Sequence, residues 1–172
     1  MGLRLIIGGA RSGKSAHAQA LAEAEAARRG GGPVMIATAE ALDEEMRERI
    51  ARHREERGGE WRTLETPLEL AAAIDGLSGG DCAVVDCLTL WLSNLIFAER
   101  DLARETEAML EAAARSAAEV IFVANEVGMS IVPENALARR FRDEAGRLNR
   151  RVAERADEVV VMFAGVPLRL KP

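Results

Sequence analysis

An apolar run at positions 3–7 leads directly into Gly8-Gly9-Ala10-Arg11-Ser12-Gly13-Lys14-Ser15, and an alanine-rich stretch to Arg29 follows. Strand, glycine-rich turn and helix in that order fix the start of the chain as one strand–loop–helix unit. Gly8 and Gly13 let successive N–H groups turn inward, and the helix adds its positive end at the same spot. The Gly-x4-Gly-Lys-Ser spacing therefore suits a phosphate chain. In this pattern Lys14 is expected to reach the outer phosphates and the Ser15 hydroxyl to ligate Mg2+. The chain reads as a binder of a nucleoside triphosphate.

The rest of the sequence alternates short apolar runs with amphipathic stretches. Strands are expected at 34–37, 61–64, 82–86, 120–124, 158–163 and 168–170, the last two around Gly165-Val166-Pro167. Helices are expected at 42–57, 91–99, 102–118 and 136–156. Thr66-Pro67-Leu68-Glu69 has the form of a capping box with Pro at the first helical position, predicting a helix to about Ile74. Continuously apolar strands between helices argue an α/β fold with a mostly parallel sheet covered on both faces. No linker or repeat divides the chain, so 1–172 is expected to be a single domain. Ligands of such sheets lie beyond the carboxyl ends of the strands. The phosphate loop, Thr38, Asp86 and Asn125-Glu126 should therefore converge.

Composition removes several function classes. A formal charge of -5, no Tyr, four Phe and two Trp speak against a nucleic-acid partner, which needs basic surface and stacking platforms. No apolar run approaches the ~18 residues of a membrane span. The N-terminus enters the first strand directly, which leaves no room for a signal peptide. Cys82 and Cys87 fit no zinc spacing and form no disulfide framework. A cytoplasmic protein with reduced thiols is expected.

Asp86 ends an apolar strand, where the acid that organises the metal of such enzymes stands; an Asp capping the following turn is the alternative. Glu126 and Asn125 are further candidates for the same pocket. His53 continues the apolar stripe of Leu42, Met46 and Ile50, which fits a structural histidine. Arg47, Arg49, Arg52, Arg54 and Arg57 crowd it, and that charge would keep its imidazole neutral and nucleophilic. Both readings are open from spacing alone. His17 is expected to pack locally, and the arginines of 136–156 to face solvent in the main.

Together these segments resemble the bifunctional adenosylcobinamide kinase / adenosylcobinamide-phosphate guanylyltransferase family. The resemblance runs through GGARSGKS from Gly8, IATAEALDEEMRERIARHREER from Ile36, WRTLETP from Trp61, VDCLTLWLSNL from Val85 and NEVGMSIVPEN from Asn125. It continues in FRDEAGRLNRRVAERADEV from Phe141. Ser130 stands where the family usually has Gly, and Arg150 where it often has Gln. The resemblance implies a RecA-like sheet with a phosphate loop, assembled as homotrimers, with a corrinoid, cobinamide, as substrate.

It also implies two reactions. GTP or ATP gives its γ-phosphate to the aminopropanol hydroxyl of cobinamide. GTP then gives its guanylyl group to that phosphate through a covalent histidine, which falls on His53, yielding GDP-cobinamide. The family places further nucleotide contacts at Ala37, Thr38, Ala39, Arg54, Glu55, Glu56, Arg57, Glu65 and Asp86. Two alternatives stand beside this reading: a small-molecule kinase without guanylyl transfer, and a nucleotide-driven ATPase or switch.

Overall fold

Seven strands form one sheet in the order β3-β2-β4-β5-β1-β6-β7 in the computed structural model, which describes residues 2–39 and 60–172. The strands are β1 (Leu3–Gly8), β2 (Pro33–Ala37), β3 (Arg62–Glu65), β4 (Cys82–Asp86), β5 (Glu119–Asn125), β6 (Glu158–Phe163) and β7 (Val166–Lys171). Every neighbouring pair is parallel except β6 and β7. Among the described residues five helices flank them: α1 (Lys14–Arg29), α2 (Leu70–Asp75), α3 (Leu88–Phe97), α4 (Leu102–Arg115) and α5 (Ala136–Arg155). The expected helix at 42–57, with His53 and Arg54 to Arg57, lies outside the described residues.

The two faces of the sheet are covered differently. One carries α1, whose Ala18, Ala22 and Ala26 pack on Ile6, Met35, Val84, Ile121 and Val160. Spaced by four, these methyl groups form one stripe, and their small size lets the helix axis lie close to the strands. The other face carries the larger core, where Trp91, Leu92, Leu95, Met109, Leu148 and Val152 cover Leu5, Val85, Val120 and Phe122. Strands β4 and β5 are central and read as unbroken apolar runs because both their faces are dry.

Helix ends follow side-chain chemistry. Asp101 caps α4 by accepting from the N–H groups of Ala103 and Arg104, and Asn135 caps α5 by accepting from those of Leu137 and Ala138. The expected capping box at Thr66–Glu69 does not form. Helix α2 begins only at Leu70, and its cap residue Glu69 makes no side-chain cap bond. The preceding residues are held elsewhere: Thr66 N–H donates to Ala37 O, and the Pro67 and Leu68 carbonyls accept from Asn94 Nδ2 (3.0 Å) and Trp91 Nε1 (2.7 Å). The final hairpin also turns one residue earlier than expected. Ala164 (φ 51°) and Gly165 (φ 83°) are both left-handed, the requirement of a tight two-residue turn, and Val166 and Pro167 belong to β7.

Candidate functional site

The phosphate loop joins β1 to α1 at the carboxyl edge of the sheet. Gly8 must lack a side chain, since a Cβ there would sit 2.5 Å from Met162 O and 2.9 Å from Ser12 Oγ. Gly13 caps α1 at φ 93°, a conformation that favours glycine. Lys14 is 7% exposed and folds back so that its Nζ donates to Gly9 O at 2.5 Å, with Ser12 Oγ at 3.4 Å. Unlike α4 and α5, helix α1 has no side-chain cap bond, and unlike α4 it has no acidic residue in its first turn. Its leading N–H groups and its positive end are thus available to an anion.

Sheet order decides what faces this loop. Strand β5 lies between β1 and β4, so Asp86 stands two strands from Gly8, roughly 10 Å at the ~4.8 Å between neighbours. Alternation puts Asp86 on the α1 side with Cys82 and Val84. Its carboxylate has no hydrogen-bond or ion-pair partner among the described residues. Burial pulls the Lys14 ammonium below the ordinary lysine value, and Cys87 and Asp86 oppose that pull. Burial, with Asp86 adding to it, pushes the Cys87 thiol up, which keeps it protonated beside the site.

Thr38 is fully buried behind Asp86. Its hydroxyl donates to Cys87 O and accepts from Cys87 N–H, both at 2.8 Å, while its own N–H donates to Asp86 O at 3.2 Å. Asn94 Nδ2 donates to Thr38 O at 2.8 Å as well as to Pro67 O. The Thr38 side chain is therefore spent on holding the end of β4. Glu65 ends β3 beside Ala37, four strands from β1 and about 19 Å away by the same spacing. At that distance it cannot share a phosphate with the loop.

Asn125 pairs with Gly8 in register, and Glu126 N–H donates to Gly8 O. The Glu126 carboxylate accepts from Gly128 N–H at 2.6 Å, so it is occupied by its own turn. The segment at 126–135 then walls an open cavity of about 530 Å³ against α5, where Arg142, Arg147 and Arg150 line it with Gly128, Ser130 and Val132.

Pattern reading passed over Thr89, Asn94 and Asn149. Thr89 and Asn94 are, with Ser93, the polar positions of the largely apolar helix LTLWLSNLIF, and that contrast is the signal that could have marked them.

With this geometry in hand, comparison with known proteins is decisive. The family described as cobinamide kinase / cobinamide phosphate guanyltransferase matches residues 4–170. The chain belongs to that family. The bifunctional adenosylcobalamin biosynthesis protein CobP of Pseudomonas aeruginosa is 48% identical over 170 residues, covering 97% of this chain and 96% of that protein. The CobU protein of Salmonella typhimurium is 41% identical over 185 residues, covering 97% and 98%. The chain is accordingly an enzyme of cobalamin biosynthesis, a cobinamide kinase and cobinamide phosphate guanyltransferase. The flagellar accessory protein FlaH of Methanocaldococcus jannaschii superposes with a TM-score of 0.53 at 14% identity, over 99% of this chain and 78% of that one, which speaks to the fold alone.

Proposed function

We propose that both reactions of the family run on one triphosphate site at the carboxyl edge of β1, β5 and β4, within a single domain. The observation that carries this reading is the uncapped, acid-free N-terminus of α1 across β5 from Asp86, whose carboxylate has no partner among the described residues. GTP, or ATP for the kinase step, lies with its phosphates on the loop amides of Gly8 to Ser15 and on Lys14. The nucleoside end runs toward Ala37, Ala39 and Glu65.

A hard oxygen set of one hydroxyl and one carboxylate suits Mg2+, which takes its other ligands from phosphates and water. Among the described residues no group of three or more His, Cys, Asp or Glu forms an all-protein cage, which agrees with that mode. Ser15 and Asp86 would hold the ion, which when bound neutralises charge on the phosphate oxygens.

In the kinase step the aminopropanol hydroxyl attacks the γ-phosphorus and the nucleoside diphosphate leaves, while Lys14 and the α1 amides take up the charge that builds on the bridging oxygen. In the second step the neutral imidazole of His53 attacks the α-phosphorus of GTP and pyrophosphate leaves. The cobinamide phosphate oxygen then attacks the same phosphorus, the P–N bond breaks and His53 is restored. Arg54 and Arg57, close to His53 in the sequence, are assigned to the departing pyrophosphate. The arm of the corrinoid is assigned to the cavity walled by Arg142, Arg147 and Arg150, because guanidinium groups hold the phosphate the arm acquires.

The enzyme is taken to be cytoplasmic and trimeric. No helix among the described residues is long and apolar enough to cross a membrane. Met129 and Ile131, 92% and 93% exposed, and Phe163, Val166, Leu168 and Leu170 on the last hairpin offer apolar surface for neighbouring copies.

The test is incubation with Mg2+ and α-phosphate-labelled GTP, followed by denaturation. An acid-labile, base-stable label on the wild type and none on His53→Ala supports the reading. A folded wild-type protein that phosphorylates cobinamide yet takes no label would leave a kinase alone.

A further inference from the structure

A phosphate chain held at one end by the loop and at the other through Asp86 must pass over the end of β5. Asn125 is the residue at that end. It stands beside Gly8, whereas Asp86 pairs with Val123, so β5 rises two residues, about 7 Å, above the level of Asp86. Alternation along β5 puts Ile121 and Val123 under α1, and Phe122 and Ala124 on the opposite face. Asn125 therefore lies on the α1 side, as Asp86 and the open N-terminus of the helix do.

The main chain of Asn125 is gripped from the other face of the sheet. Its N–H donates to Thr89 Oγ1 of α3 at 2.8 Å, and its carbonyl accepts from Asn149 Nδ2 of α5 at 3.4 Å. Asn149 is itself buried. The carboxamide, by contrast, has no hydrogen-bond partner among the described residues, although the residue is half-buried. A fixed backbone carrying a two-donor carboxamide with no partner among the described residues, at the phosphate crossing, is an arrangement that suits a ligand contact.

We propose that Asn125 reads the terminal phosphate of the bound triphosphate, its Nδ2 donating to a γ-phosphate oxygen. The proposal rests on the site described under Proposed function and assigns it one more residue. It makes Asn125 a catalytic residue of phosphoryl transfer and not of guanylyl transfer. In the kinase step the bond from the acceptor oxygen to the γ-phosphorus forms as the γ-phosphorus bond to the β-bridging oxygen breaks. The hydroxyl proton passes to water, GDP leaves, and Asn125 stays neutral while holding the transferred group in line. In the guanylyl step bonds change at the α-phosphorus, to which this assignment gives Asn125 no bond.

The test compares wild type, Asn125→Ala, Asn125→Asp and Lys14→Ala. GTP and GDP affinities are measured by calorimetry, and cobinamide phosphorylation and α-labelled GMP incorporation are measured at saturating GTP. For Asn125→Ala the preference for GTP over GDP falls about tenfold, as for one lost hydrogen bond to a charged group, with GDP affinity unchanged. Phosphorylation falls tenfold or more and labelling stays within about threefold. Asn125→Asp keeps the shape, sets a carboxylate against the phosphate and loses more of the GTP preference; thermal melting reports folding for both. Unchanged GTP preference and phosphorylation in both variants overturn the proposal, as does an equal fall in both activities. Lys14→Ala loses GTP and GDP binding alike if the underlying site is right. Retained GDP binding there would mean that the phosphate-loop assignment, and the role of Asn125 with it, has failed.

Discussion

Replacing Thr38 by Val separates two readings of one residue. As a nucleotide contact, Thr38 would affect KM for GTP and leave stability alone. The structure instead has its hydroxyl bridging both the N–H and the carbonyl of Cys87 at 2.8 Å in a fully buried position. Val cannot reproduce either bond, so the buried Cys87 N–H loses its partner, while Cys87 O keeps the N–H of Trp91 at 3.1 Å. At about 1–3 kcal/mol for one orphaned group the loss is roughly 2 kcal/mol. For a chain of this length ~1 kcal/mol moves Tm by about 2–4 °C, which makes the expected fall about 4–8 °C. Thermal melting by circular dichroism measures it, with Thr38→Ser as control. Ser keeps the hydroxyl and should lose under about 1.5 kcal/mol. Because Asp86 precedes Cys87, phosphorylation by Thr38→Val should also slow at temperatures where it is folded. A Tm within 2 °C of wild type, or an equal fall in Thr38→Ser, would refute the argument.

Both thiols should resist alkylation in the folded enzyme. Cys82 is fully buried and its thiol is pushed up to about 12, mainly by burial with Glu119 adding to it, so labelling by a thiol reagent at pH 8 should follow global unfolding. Glu25 is held below the ordinary carboxylate range by its hydrogen bond to Arg28, against a burial penalty and with Arg4 assisting. A depressed carboxylate adds stability above its unfolded value of ~4.3 and loses it as pH falls through the folded value, so Glu25→Gln should flatten only the acid arm of the stability–pH curve in urea titrations. Arg147→Ala with Arg150→Ala should raise KM for cobinamide phosphate at least fivefold and KM for cobinamide much less. Their partners Glu144 and Glu154 form exposed pairs of little worth, so Tm should move by under 2 °C.

What could be read from the sequence is local. The uniformly apolar runs that became β2, β4 and β5 are visible because burial on both faces leaves no room for polar alternation. The phosphate loop is visible because its chemistry is packed into eight consecutive residues. The late start of α2 is not, since it depends on Trp91 and Asn94 reaching back to Leu68 and Pro67 from more than twenty positions away. Thr38 was visible as a strand-end residue, but whether its hydroxyl faces a ligand or Cys87 is settled by a contact 49 positions distant. Asn125 was a polar residue after a strand; its importance depends on which strand separates β1 from β4, and sheet order is a long-range property. His53 and the arginines beside it lie outside the described residues, so the guanylyl half of the site has its support in the family and not in geometry.

The alanine stripe of α1 has a consequence for how this enzyme can be damaged. Ala18, Ala22 and Ala26 are the floor on which the helix rests, and that helix begins at Lys14, the residue proposed to hold the phosphates. The height of the phosphate cradle above the sheet is thus set by three methyl groups, the farthest of them three turns down the helix. A single added branch at Ala22 would lift or tilt a helix whose packing leaves no slack. The first symptom would be weaker nucleotide binding in a protein that still folds. Variants at these positions would resemble active-site lesions in every kinetic assay, although none of the altered atoms comes near a nucleotide.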